Sequence, residues 1–145
     1  MPAKRLRVTL RYIEILDSKD VDMYGEFRFR FQVGVADRGV VSETRIPEEG
    51  HLSIADHPSM NKVTRRDVLF EGEVEDGETL VVEASGEELD TLSANDQLTS
   101  YRREFTGPVE SWIGEHGPWD EGASDVQDPE QLGDWRLAYA IERVD

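Results

Sequence analysis

The feature that most constrains the fold of this chain is the strict alternation of apolar and polar residues between Phe27 and Val35. The run reads FRFRFQVGV, with an apolar side chain at every second position. Because successive side chains of a strand point to opposite faces, this pattern predicts a strand with one buried and one solvent-facing side. We expect this strand to cross the centre of a sheet.

The same period of two recurs near both ends of the chain. It runs from Leu6 to Leu16, with a change of parity at Ile13 that predicts a β-bulge, and again from Trp135 to Ile141. Weaker strand patterns occupy Val40–Ile46, Lys62–Val74, Leu80–Ala84 and Tyr101–Phe105. No stretch has a clear helical period. The sequence therefore predicts an all-β fold, an antiparallel β-sandwich of about eight strands, in one domain spanning residues 1–145.

The connections between these strands differ in length. Glu75–Gly77 has the composition of a hairpin turn. Two stretches are predicted to be irregular: His51–Asn61, and Gly107–Gly133 with at most a short helical turn. A connection as long as the second is uncommon unless it has a function.

The charge of the chain limits its partners. Sixteen Lys and Arg residues against thirty-two Asp and Glu residues give a net charge of −16. Nucleic acid is excluded as a partner because binding it requires a basic patch, and an anionic membrane is disfavoured for the same reason. The sequence lacks cysteine, and therefore both disulfides and thiolate zinc sites.

The N-terminal residues predict the location of the protein. MPAKRLRVTLRYIEIL is basic and then alternating, without the continuous apolar core and cleavage site of a signal peptide. No apolar run of the sequence is long enough to span a bilayer. We expect a soluble protein that is cytoplasmic, or exported by a route without a cleavable signal.

Acidic residues concentrate in the stretch from Glu83 to Phe105, between two predicted strands. Five side chains with oxygen ligands fall within ten positions there: Glu87, Glu88, Asp90, Asn95 and Asp96. Calcium takes six to eight oxygen ligands, often from carboxylates on loops. The stretch predicts a calcium site, and the alternative is a solvated acidic turn.

This stretch also resembles a known family. The segment ELDTLSAND, from Glu88 to Asp96, is similar to the third calcium-binding loop of C-two domains, the calcium- and lipid-binding β-sandwiches of the protein kinase C type. In that family the loop has an acidic residue, any residue, Asp, a short spacer and Asn-Asp. The resemblance implies the calcium ligands Glu88, Asp90, Asn95 and Asp96 in this loop, and Asp17 and Glu26, with Asp20 or Asp22 as substitutes, in the first loop.

The resemblance implies a non-enzymatic function. We expect calcium as the cofactor, and calcium-stabilised binding of a protein partner, or assembly, as the role. The chain has no counterpart of the family's lysine-rich lipid-binding strand, so we expect membrane binding to be absent or bridged by calcium. Two other functions remain open: a metal-free protein-interaction domain, and a hydrolase that uses two carboxylates of the acidic end.

A physical argument supports the same site. Loops at one end of a sandwich lie together although they are distant in sequence. Carboxylates pooled there repel each other, and a hard divalent cation removes that repulsion. Magnesium fits less well, because it requires a tight octahedron and sheds water reluctantly.

Three weaker groups of candidate residues remain. His51, Asp56 and His57 form a zinc site or are exposed loop residues. His116, Trp119, Asp120 and Glu121 line a pocket or cap the edge of the sandwich. Asp120, Asp125 and Asp128 offer a second calcium site without regular spacing.

Overall fold

The computed structural model describes residues 3–15, 24–55, 62–89, 96–98, 100–116 and 135–145. These residues contain eleven strands: β1 (Lys4–Ile15), β2 (Tyr24–Val35), β3 (Val40–Ile46), β4 (Leu52–Ala55), β5 (Lys62–Thr64), β6 (Val68–Val74), β7 (Leu80–Glu88), β8 (Asp96–Gln97), β9 (Tyr101–Phe105), β10 (Gly114–His116) and β11 (Trp135–Arg143). Short 3-10 turns occupy Ala36–Arg38 and Val109–Trp112. In the described part of the chain no helix is of a length and apolarity that would cross a membrane.

The strands form two antiparallel sheets that pack face to face, which confirms the predicted β-sandwich. In the first sheet, β1 pairs with β11 on one side and with both β5 and β6 on the other, and β10 extends β11. In the second sheet, β2 pairs with β7, and β3 and β4 lie end to end along the other side of β2. In the same way, β8 and β9 lie end to end along β7.

Each sheet is therefore four strands wide, and the sandwich has eight strand positions. Three of these positions are divided into two short strands, which is why the described residues contain eleven strands.

The core lies between the two sheets, under the two central strands of each. The five apolar residues predicted to alternate along β2 are all buried, and Arg28 and Arg30 are exposed on the outer face. Trp135, at the start of β11, packs on Phe29 across the sandwich, with ring centroids 5.1 Å apart. Since burial of each large apolar side chain stabilises the fold by about 1.5–3 kcal/mol, this face of β2 contributes much of the stability of the sandwich.

The predicted bulge in the first strand is confirmed. The register of β1 against β11 shifts between Leu10 and Tyr12. Leu10 and Ile13 are both buried although three positions separate them. The bulge lets both halves of a twelve-residue strand present apolar side chains to the same core.

The predicted single strand Lys62–Val74 is instead two strands, β5 and β6. The break falls beside the bulge, where the backbone N–H of Arg65 donates to Arg11 O at 2.7 Å and that of Leu10 donates to Asp67 O at 2.8 Å. The Arg65 side chain also donates to the Asp67 carboxylate at 2.7 Å. The bulge in β1 leaves the facing strand without a regular partner, so its ladder is interrupted there.

Two connections predicted to be irregular contain short strands. Within His51–Asn61, the residues of β4 pair with the start of β2, and Ile54 is buried. Within Gly107–Gly133, a 3-10 turn confirms the predicted helical turn, and β10 adds an edge strand to β11. Strands of three or four residues are stabilised by their neighbours rather than by their own alternation.

The close packing of the core around Gly86 can be tested by substitution. Gly86 lies on the core face of β7 opposite Phe29, and a Cβ atom there would sit 2.6 Å from Phe29 Cδ1 and 3.1 Å from Leu98 Cδ1. We expect Gly86→Ala to lower the free energy of unfolding by about 1–3 kcal/mol, because overpacking forces neighbours to move. Urea denaturation measures this loss, with Ser85→Ala on the solvent face of the same strand as the control. Equal midpoints for the two variants would contradict this account of the core.

Candidate functional site

The strand ends that flank the predicted calcium-binding loops lie at one end of the sandwich. Ile15, the last residue of β1, pairs with Trp135, the first residue of β11. In the other sheet, Phe27 near the start of β2 pairs with Glu88 at the end of β7. The contact between the Phe29 and Trp135 rings brings these two sets of strand ends together. We call this the acidic end of the sandwich, because the segments attached to it are rich in Asp and Glu.

Four segments that start or finish at the acidic end, 16–23, 56–61, 90–95 and 117–134, lie outside the described residues. Their sequences hold eleven of the thirty-two acidic residues and, among the sixteen Lys and Arg residues, only Lys19. The eleven are Asp17, Asp20, Asp22, Asp56, Asp90, Asp120, Glu121, Asp125, Asp128, Glu130 and Asp134. Most of the net negative charge therefore belongs to connections that the fold attaches at one end.

Only part of the predicted calcium ligand set falls on described residues. Five of its members lie outside them: Asp17, Asp20, Asp22, Asp90 and Asn95. Asp96 is described by its backbone, which pairs with Glu88. Glu26 and Glu88 are described in full. The assignment of all eight as metal ligands stays a prediction.

Glu26 and Glu88 lie on neighbouring strands but point to opposite faces of the sheet. Glu88 shares the face of its partner Phe27 and is only 2% exposed. Glu26 precedes Phe27, so its side chain leaves the other face, where its Oε2 lies 3.5 Å from Nε2 of His51. The structure thus places both residues at the acidic end without bringing their carboxylates together. The described residues contain no group of three or more His, Asp or Glu side chains arranged to hold a metal ion.

The buried carboxylate of Glu88 distinguishes the acidic end. Of the carboxylates in described positions, it is the one that is buried. Removing a carboxylate from water costs several kcal/mol unless hydrogen bonds or a cation compensate. The backbone around it is fixed, since Leu89 N–H donates to Glu26 O at 2.7 Å. Glu88 therefore occupies a position where a charged group requires specific partners.

The histidine candidates have different surroundings. His51 is paired with Glu26, and the other two residues of the zinc hypothesis, Asp56 and His57, lie outside the described residues. His116 is half-buried at the sandwich edge, stacked on Tyr139 with ring centroids 5.6 Å apart. Its Nε2 lies 2.7 Å from Trp112 O, so Nε2–H donates a hydrogen bond to this carbonyl oxygen. His116 thus packs on the sandwich edge, while Trp119, Asp120 and Glu121 lie outside the described residues.

A groove on the outer face of the second sheet was not anticipated from the sequence. Its volume is about 410 Å³. Its lining includes Arg28, Arg30, Arg45, Ser85 and Gln97. In the sequence, the arginines of β2 only mark the solvent-facing side of a strand. Their alignment with Arg45 depends on cross-strand register, which the sequence does not encode locally.

Two guanidinium groups in the groove share one carboxylate. Nε of Arg30 lies 2.9 Å from Glu43 Oε1, and Nε of Arg45 donates to Glu43 Oε2 at 3.2 Å. Desolvation raises the pKa of Glu43, but the charges of Arg30 and Arg45 and the hydrogen bonds from Arg45 and Gln32 outweigh it and hold the pKa below its usual range. Glu43 is therefore ionised at neutral pH and bridges two positive charges.

No protein-family model matches the chain, and no curated protein is significantly similar to it in sequence.

Proposed function

We propose that this chain is a calcium-binding, non-enzymatic β-sandwich module, in which calcium stabilises binding to a protein partner or assembly. The observation that supports this proposal is the position of the strand ends. Ile15, Phe27, Glu88 and Trp135 lie at one end of the sandwich, and the segments that start or finish at this end hold eleven acidic residues and one lysine.

The electrostatics of such an end favour a divalent cation. Two unit negative charges 4 Å apart repel by about 1 kcal/mol in water and more where protein replaces water. Calcium accepts six to eight oxygen ligands in variable geometry, so it neutralises this charge with few demands on loop shape. The spacing of Asp90 and Asp96 after Glu88 makes these two aspartates the primary ligands in the proposal.

Calorimetric titration with calcium tests the proposal directly. We expect saturable binding by the parent chain, and binding at least about tenfold weaker for Asp90→Asn, because calcium affinity depends on the number of charged ligands. Asparagine keeps the shape of aspartate and removes only its charge. The experiment therefore reports on ligation rather than on packing.

The matched control removes one charge from the opposite end. Glu75 is exposed and lies beside the hairpin turn between β6 and β7, where Val74 pairs with Lys4. Glu75→Gln should bind calcium as the parent does. Equal weakening of both variants would indicate a diffuse counter-ion effect instead of a site. Absence of binding at millimolar calcium would favour the metal-free interaction domain.

A further inference from the structure

In the groove on the outer face of the second sheet, three described arginines gather around a concave surface. Its charged lining residues are Arg28, Arg30, Arg45, Glu48 and Glu87, in a chain of net charge −16. Arg28 donates to Glu87, and Gln97 donates to the same carboxylate at 2.9 Å. Glu87 is thus neutralised locally, and the guanidinium groups of Arg30 and Arg45 remain to be accounted for.

Arg30 and Arg45 face each other directly across β2 and β3. Like charges directly opposite each other destabilise a sheet, and one shared carboxylate, Glu43, offsets two of them. Both guanidinium groups meet Glu43 through Nε. Among the described residues, none accepts a hydrogen bond from the Nη groups of these two arginines.

Two other arginines on the sheet faces, Arg102 and Arg5, use their Nη donors. Arg102 contacts Glu83 through Nη1 at 3.0 Å and Glu104 through Nη2 at 2.7 Å. Arg5 donates to Glu71 through both Nε and Nη2. Arg30 and Arg45 therefore keep more N–H donors available for a ligand than Arg102 and Arg5 do.

The floor of the groove next to these arginines is small and polar. Ser85 of β7 pairs with Arg30 on the side away from Arg45, and Gly86 follows it. A second groove of about 350 Å³ shares Arg30 and Ser85 with the first and is also lined by Ser100 and Arg102. The two grooves thus adjoin at Arg30 and Ser85. Each has the volume of a small-molecule site.

We propose that this groove binds a small hydroxylated ligand through an oxyanion, a phosphate, sulfate or carboxylate group, held by the Nη groups of Arg30 and Arg45. A guanidinium presents a planar fork of N–H donors that matches the oxygens of such groups. The ligand's charge offsets the repulsion between the two arginines, and Ser85 provides a hydroxyl for its polar body. Arg30, Arg45 and Ser85 are not among the residues proposed to bind calcium.

The test is a titration followed by NMR signals of backbone amides and arginine Nε groups, with chloride holding the ionic strength constant. The probes are inorganic phosphate, sulfate, glucose 6-phosphate and glucuronate, with glucose as the neutral comparison. We expect saturable shifts at Arg30, Arg45 and Ser85 with the anions and none with glucose. Tighter binding of glucose 6-phosphate than of glucuronate identifies a phosphate ester as the preferred group, and the reverse order identifies a carboxylate.

Three variants separate a site from general electrostatics. Arg45 lies on an edge strand, and its side chain is 67% exposed. Arg45→Gln should weaken binding at least about tenfold, because it removes charge-assisted hydrogen bonds to the ligand. Ser85→Val keeps every charge but fills the floor, and should weaken binding as well. Arg7→Gln removes an arginine that meets Glu71 through Nε on the other sheet, and should bind as the parent does. Shifts that stay linear with concentration, unchanged binding by Arg45→Gln, or equal weakening by Arg7→Gln would overturn the proposal.

Discussion

Calcium at one hundred times its dissociation constant is expected to raise the free energy of unfolding of this chain by about 2.7 kcal/mol. For a protein of this size, such a change corresponds to a rise in the melting midpoint of roughly 5–10 °C. The physical reason is that a cation bound by the folded acidic end must be released when the strand ends separate. Thermal unfolding followed by circular dichroism, in calcium and in chelator, measures the shift.

Sodium chloride at the same ionic strength is the control, because screening alone also relieves repulsion in an acidic chain. Its effect should be smaller than that of calcium. In chelator, Asp90→Asn should melt at the parent's midpoint or slightly above it, since it removes one repelling charge. Equal midpoints for the parent in millimolar calcium and in chelator would refute the calcium proposal.

The strands that the sequence predicted well are those whose pattern is local. The alternation from Phe27 to Val35 fixes which face of β2 is buried without reference to any partner. The bulge near Ile13 was visible for the same reason, because it changes the parity within one strand. In contrast, β4 has only two large apolar residues, Leu52 and Ile54, and it exists because the start of β2 offers it a partner.

The candidate site was only partly predictable. Acidic residues that follow strand ends predicted a shared end of the sandwich, and the paired strand ends lie there. The predicted strand stopped at Ala84, whereas β7 continues through Glu88. That extension pairs Glu88 with Phe27, which buries Glu88 and sends Glu26 to the other face. The face of the sheet to which a side chain points depends on cross-strand register. The spacing of residues along one strand does not determine this register.

The groove illustrates the same limit. Arg30, Arg45 and Ser85 are far apart in sequence, and each looks like an ordinary solvent-facing residue of a strand. Antiparallel pairing of β2 with β3 and with β7 sets them in one row across the sheet. Only the register of three strands reveals a two-arginine row beside a small serine.

Trp135→Ala is expected to cost about 3–5 kcal/mol of the free energy of unfolding, the usual loss when a large aromatic side chain is removed from a core. Trp135 is fully buried and lies at the junction of the two sheets, paired with Ile15 and packed on Phe29. Its removal leaves a cavity beneath the acidic end that neighbouring rigid strands cannot fill. Guanidinium denaturation of the parent and variant measures the loss.

Two further variants show whether the loss comes from the cavity. Trp135→Phe retains a ring against Phe29 and should lose less than Trp135→Ala, because the void left behind is smaller. Ile113→Ala changes a side chain that is 39% exposed and should stay within about 0.5 kcal/mol of the parent. If Trp135→Ala proved as stable as Ile113→Ala, the two sheets would not depend on this contact. The convergence of the strand ends at the acidic end would then need another cause.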